Sequence, residues 1–304
     1  MLCLRTLSAS ELKNNPSSLL IYHERTTCVF GETPADFAQV PDSFEYFAVT
    51  LQTAQTSILV LESIIMFRFI GLAITLLLAT TSERALANNG VLVFGGTGLL
   101  GSAIVMDLLD AGEDVTVFTR PTSKRERLQG LDVSYVTGDV LNEGDVKAAL
   151  KSGPYRVVID ALARDGGVGP EFYIDSMKYM SAWAADTGVK QFILHGSVGA
   201  GLSRAIYPED RWEFMAATIT AKDWGERHLM ESGTPYTIIR NLNLLPIEVP
   251  ESGKAYLTED QLLGGPVTRD GLARLNMECM DNDACINEIF HGIDPDVVDP
   301  RRRN

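Results

Sequence analysis

From residue 90 onward, short apolar runs and longer amphipathic stretches take turns along the chain. Val91-Leu92-Val93-Phe94 predicts a strand, and 99–111 an amphipathic helix ended by Gly112. Further strands are predicted over 115–119, 133–136, 156–160, 191–195 and 236–240. Helical spacing recurs over 145–151, 172–187 and 212–232, with stops at Gly153-Pro154, Gly188 and Gly233. The β-branched runs suit strands covered on both faces. Such alternation predicts a parallel sheet with crossover helices, hence a doubly wound α/β fold in one domain over 88–243. Residues 244–304 are rich in Pro, Gly and acid, and read as a short cap on the substrate side.

The pattern before residue 88 is different. Residues 1–57 show no sustained period. A short basic head at Met66-Phe67-Arg68, an apolar stretch to Ala79 and the ending Ala85-Leu86-Ala87 then supply the three parts of a secretory signal. Such a signal belongs at an N-terminus. The expectation is therefore a working start at Met66, with 1–65 a non-native or disordered extension. It carries with it a periplasmic or secreted protein, with no stable membrane span once 66–87 is cleaved. Two alternatives stay open. Residues 58–79 form an uncleaved anchor, at the cost of placing Glu62 and Arg68 in the bilayer, or they form a helix buried in the domain; a cytoplasmic location is the alternative to export.

Charge narrows the partners. The 304 residues carry a net charge of −14, which argues against nucleic acid or an anionic membrane and leaves a small-molecule substrate. No metal site is expected, because His23, His195, His228 and His291 are scattered and no Cys-x-x-Cys occurs. Beyond residue 87 only Cys279 and Cys285 remain. They either close a small loop in an oxidising compartment or stand as two free thiols on a helix. Oligomeric state is not legible.

The chemistry begins at Gly95-Gly96-Thr97-Gly98-Leu99-Leu100-Gly101, directly after the first strand. Strand, glycine turn and helix in that order lay a dinucleotide diphosphate against helix N-terminal amides. Gly95 can take the positive φ of the turn, Gly98 admits the phosphates, and Gly101 lets helix and strand pack closely. Ligands of such sheets sit outside the carboxyl ends of the strands. After the second strand comes Arg120, followed by Thr122, Ser123, Lys124 and Arg125, where an NAD site usually places an acid. This suits a 2′-phosphate and predicts NADP(H) over NAD(H); the alternative for Arg120 is a solvated surface charge. Asp139-Val140, after the third strand, suits an adenine contact or a helix cap. Ala161 and its small neighbours after the fourth strand leave room for a cofactor.

With these residues the chain resembles the atypical short-chain dehydrogenase/reductase group, in its NAD(P)H-binding, NmrA-like branch. The resemblance rests on the glycine turn, Val117-Phe118-Thr119-Arg120, Gly138-Asp139-Val140 and Gly188-Val189-Lys190-Gln191-Phe192-Ile193. It continues through Gly196-Ser197-Val198-Gly199-Ala200, Ala221-Lys222 with Glu226, and Ser232-Gly233-Thr234-Pro235-Tyr236-Thr237-Ile238-Ile239-Arg240. It implies a Rossmann-type fold. Lys222 stands where the group carries the lysine of its Tyr-x-x-x-Lys pair, and Ser197 where it carries a carbonyl-polarising hydroxyl. The tyrosine position holds Thr218, which is far too weak an acid to replace a phenol. Lysine alone serves in isoflavone-reductase-like members, and by resemblance Lys222 acts so, as proton donor or as a clamp on the cofactor's ribose; its alternative is an i,i+4 salt bridge to Glu226. His195 reads as a strand-end residue before a base, and Tyr173, Tyr179 and Tyr207 are candidate substitute acids. The group's usual Arg-Pro-Gly is here Arg240-Asn241-Leu242-Asn243. Two functions follow: a reductase using NADPH on a small carbonyl or enone-like substrate, or a non-catalytic NADP(H)-binding sensor.

Overall fold

The computed structural model describes residues 90–164 and 166–302; the expectations for 1–65 and 66–87 lie outside the described residues. Six strands form in the expected order. They are β1 (Gly90–Phe94), β2 (Val115–Thr119), β3 (Ser134–Thr137), β4 (Tyr155–Asp160), β5 (Gln191–Ser197) and β6 (Tyr236–Asn241). Between them run α1 (Leu99–Asp110), α2 (Glu143–Lys151), α3 (Phe172–Thr187) and α4 (Glu209–Glu231). Then come β7 (Asn243–Leu244), β8 (Tyr256–Thr258), β9 (Pro266–Val267), α5 (Arg269–Cys279) and β10 (Glu288–Ile293).

The main sheet has the order β3-β2-β1-β4-β5-β6-β10-β8, parallel except for β8, which runs antiparallel to β10. Successive strand residues face opposite sides. Val91, Val93, Val117, Ile159, Ile193 and Ile239 pack with Ile104, Val105 and Leu108 of α1 and with Leu272 and Leu275 of α5. Leu92, Phe94, Val158, Phe192, Leu194 and Ile238 pack on the other face, with Val146 and Leu150 of α2, Met177 and Met180 of α3, and Leu229 of α4. Both faces are therefore covered, as the expected doubly wound α/β sheet requires.

The helix boundaries have local causes. The side chain of Asn142 accepts from Gly144 N and Asp145 N, so α2 starts two residues before the spacing predicts. Gly188 ends α3 in the left-handed region at φ +73°. Pro208 precedes α4, which begins at Glu209 rather than at 212.

The tail departs furthest from its reading as a cap. Leu244 and Arg269 do line the cavity described below, but β10 and β8 extend the main sheet beyond β6, and α5 packs beside α1. The cause is coverage. Without Leu272 and Leu275, the side of Ile193 and Ile239 away from α3 would face water. Cys279 and Cys285 are joined as a disulfide, with Cα atoms 5.4 Å apart, which decides between the two readings of that pair.

Candidate functional site

β1 ends at Phe94 and the chain turns at once. Gly95 holds φ +78°, and Gly98 N donates to the Gly95 carbonyl at 2.9 Å. A Cβ at Gly95 would stand 2.7 Å from the Ala161 carbonyl carbon and oxygen. At Gly101 it would stand 2.2 Å from the Gly95 carbonyl oxygen. Only glycine allows α1 to lie this close to the turn. α1 opens with no side-chain cap and no acid in its first turn. Its amino end thus presents backbone N–H groups to an external acceptor, and the cradle fits the diphosphate of a dinucleotide.

A cavity of about 560 Å³ starts at this turn and spreads over the carboxyl ends of the strands. Gly95, Thr97, Gly98, Leu99 and Leu100 line its middle; Gly101 does not line it and acts through packing. Arg120 and Ser123, which follow β2, and Asp139 and Val140, which follow β3, line one end. Ala161 to Arg164, which follow β4, lead to the other, where His195, Lys222, Asn241, Leu244 and Arg269 gather. The strand order, with β2 and β3 on one side of β1 and β4, β5 and β6 on the other, produces this division.

Several expected residues meet here with altered detail. Asp139 lines the cavity, yet its Oδ1 accepts from Leu141 N at 3.0 Å, while capping of α2 falls to Asn142. Ser197 ends β5 and is absent from the cavity lining; its hydroxyl donates to the Val198 carbonyl at 3.1 Å. Lys222 forms no ion pair with Glu226. Glu226 is instead taken by Arg240, at 2.6 Å, with both side chains buried. Lys222 Nζ lies 4.8 Å from the centre of the Tyr173 ring, which makes Tyr173 the candidate tyrosine nearest the lysine. Tyr207 packs with Ala200 and Ile219 instead, and Tyr179 packs against the core cluster on the α2–α3–α4 face.

A second recess of about 20 Å³ shares His195 and Lys222 with the main cavity and adds Asp160, Tyr173, Gly225 and Glu226. Gly225 makes it possible, since a Cβ there would come within 2.7 Å of the Tyr173 carbonyl oxygen and push α4 away from α3. Burial pushes the Asp160 carboxyl up to about 6, against the Leu162 N–H it accepts at 2.8 Å and the Lys222 charge. Burial likewise pushes His195 down to about 4; its Nε2 meets Asn276 Oδ1 at 3.3 Å, which acts to raise it, while the Lys222 charge lowers it further. His195 is therefore a neutral imidazole at neutral pH.

Sequence reasoning missed Arg164 and Arg269. Arg164 Nη1 donates to the Val168 carbonyl at 2.7 Å, and Nη2 to Thr218 Oγ1 at 3.3 Å. Thr218, in the tyrosine position, thus anchors an arginine. Arg269 is the first residue of α5. Thr268 as cap and the 272, 275, 276, 279 spacing of buried residues announce that helix, but nothing local tells where its start docks.

Residues 95–283 match the profile of the family described as NAD(P)H-binding. An uncharacterised chloroplast protein of Arabidopsis thaliana is 28% identical over 219 residues, which cover 66% of this chain and 74% of the relative. Among solved structures, the fold is shared with ChuY, an anaerobillin reductase from Escherichia coli O157:H7. That similarity has a TM-score of 0.61 at 22% identity and covers 69% of this chain and 99% of ChuY. A short-chain dehydrogenase/reductase from Veillonella parvula, solved with NADP, is similar at a TM-score of 0.55 and 16% identity, over 68% of this chain and 95% of that one.

Proposed function

The chain belongs to the NAD(P)H-binding family, and from that premise we propose that it binds NADPH in preference to NADH and reduces a small carbonyl or enone-like substrate. The observation that carries this reading is the two-ended cavity, with Arg120 and Ser123 on one side of the glycine turn and Lys222 on the other. Arg120 and Ser123 suit the ribose 2′-phosphate that distinguishes NADPH. Asp139 and Val140 suit the adenine, and Ala161 leaves the backbone open for the cofactor's middle. When bound, NADPH supplies the hydride. Lys222 holds its ammonium in the cavity where a substrate oxygen gains negative charge, and gives that oxygen a proton. Tyr173, under the lysine, keeps the ammonium in place through its ring. The anaerobillin reductase and the NADP-bound reductase among the structural neighbours agree with this reading.

A second reading, an NADP(H)-binding sensor without turnover, is favoured by Thr218 in the tyrosine position and by the Ser197 hydroxyl turned to Val198. One experiment separates the two. Calorimetry is expected to give a lower Kd for NADPH than for NADH, and Arg120→Ala is expected to remove most of the difference. NADPH oxidation is then followed over a panel of small carbonyls and enones. Turnover that falls roughly 10²–10⁴-fold in Lys222→Ala supports the reductase. Tight NADPH binding with no turnover on any member leaves the sensor, and tighter NADH binding rejects the cofactor assignment.

A further inference from the structure

The sequence has 40 acids against 26 bases, and several of its cations hold carboxylates. Arg156 holds Glu113 and Asp281, Arg274 holds Glu251 and Glu278, and Arg301 holds Asp299. The buried Arg240 holds Glu226. The end of the cavity beyond the glycine turn has no such pair among the described residues. Arg164, Lys222 and Arg269 all line it, and among the described residues no carboxylate lies within ion-pair distance of any of them.

Arg269 is the sharpest case. Its Nη1 donates to the Leu245 carbonyl, which fixes the guanidinium, while its Nε is buried and has no hydrogen-bond partner among the described residues. A buried guanidinium N–H left without an acceptor costs about as much as the desolvation it suffers. Burial and the nearby charge of Arg301 push Arg269 below its ordinary value, and Glu248 and Asp270 oppose this only from beyond contact. Arg164 is held by two neutral acceptors, Val168 and Thr218, which orient its charge without neutralising it.

We propose that the substrate carries a carboxylate, which Arg269 and Arg164 hold at the end of the cavity away from Arg120. Arginine is the side chain whose fork matches a carboxylate. In a chain of net charge −14, a cluster of cations in a recess also draws an anion inward past an acidic exterior. The assignment names the substrate class for the reductase reading above and rests on it. The unpaired cations themselves do not depend on turnover.

The test pairs benzoylformate with its methyl ester, two carbonyl compounds that differ in the negative charge. Calorimetry on the protein loaded with NADP⁺ is expected to show benzoylformate binding and no comparable binding of the ester. Arg269→Gln is expected to weaken benzoylformate binding roughly 10- to 100-fold, to leave NADPH affinity within twofold and to leave the ester unchanged. Arg269→Lys, which keeps charge but not the fork, is expected to fall between. Arg164→Gln provides the same reading should Arg269→Gln melt far below the wild type. Equal binding of acid and ester, or equal loss of both in the variants, overturns the proposal. A large loss of NADPH affinity in Arg269→Gln also overturns it, by assigning the arginine to the cofactor. Benzoylformate binding with no NADPH oxidation on any member of the carbonyl panel sinks the reductase reading and leaves the anion site standing.

Discussion

Asp160, the last residue of β4, and His195, in β5, are both buried, and both are influenced by the charge of Lys222. Their titrations act on stability with opposite signs over one pH window. The Asp160 carboxyl is raised from 3.8 to about 6, so the folded chain keeps a proton that the unfolded chain has lost. Stability from this group therefore falls as pH rises from about 4 to 6. His195 is lowered from 6.5 to about 4, so between those values the unfolded chain binds the extra proton. Stability from this group therefore rises with pH across nearly the same span. The two slopes largely cancel in the wild type. Asp160→Asn keeps an oxygen for the Leu162 N–H and removes the first slope. Urea unfolding from pH 4 to 6.5 is expected to show the variant gaining about 2–3 kcal/mol relative to the wild-type profile across the window. Parallel profiles would reject the perturbed carboxyl. The pairing also bears on Lys222, because below about pH 6 a protonated Asp160 and a neutral His195 add no charge beside its ammonium, and Glu226 is held by Arg240.

The junction of β1 with α1 is the element on which cofactor binding turns. Replacing Gly101 by alanine puts a Cβ 2.2 Å from the Gly95 carbonyl oxygen, a backbone atom that cannot rotate away. The helix must shift off the turn, which widens the amide cradle. We expect Gly101→Ala to cost about 1–3 kcal/mol in denaturant unfolding and to weaken NADPH binding at least tenfold; unchanged binding would mean that the cradle does not hold the diphosphate. The same junction was the most legible part of the fold. Val91 and Val93 face one side and Leu92 and Phe94 the other, and both sides are apolar, so a doubly covered strand is written into four residues. β7, β8 and β9 have only two or three residues each, too few for any period to show. β10 hides for another reason. His291 and Gly292 interrupt its apolar run, and His291 is buried with its Nδ1 2.6 Å from the Leu263 carbonyl.

At the scale of the whole molecule the cofactor and substrate ends of the cavity were unequally readable. One contiguous stretch, 95–101, and the residues just after β2 and β3 build the middle and the first end, from segments that follow one another along the chain. The second end joins Arg164, Lys222, Asn241 and Arg269, which only the finished sheet brings together. The sheet also separates function from anchorage. The Cys279–Cys285 loop lies at the opposite, amino ends of the strands: Gln191 Nε2 donates to the Cys279 carbonyl at 2.8 Å, and Thr237 Oγ1 donates to that of Cys285 at 2.7 Å. There the disulfide ties the end of α5 to the chain that leads into β10. Opening so short a loop is worth about 2 kcal/mol of unfolded-state entropy. Cys279→Ser with Cys285→Ser is therefore expected to lower Tm by about 4–8 °C, with reductant doing the same to the wild type. NADPH affinity measured at 25 °C should stay within twofold, because the glycine turn and Arg120 sit at the carboxyl ends of the strands, away from the disulfide. A loss of cofactor affinity that tracks the loss of stability would show instead that the tail and the cofactor cradle melt as one unit.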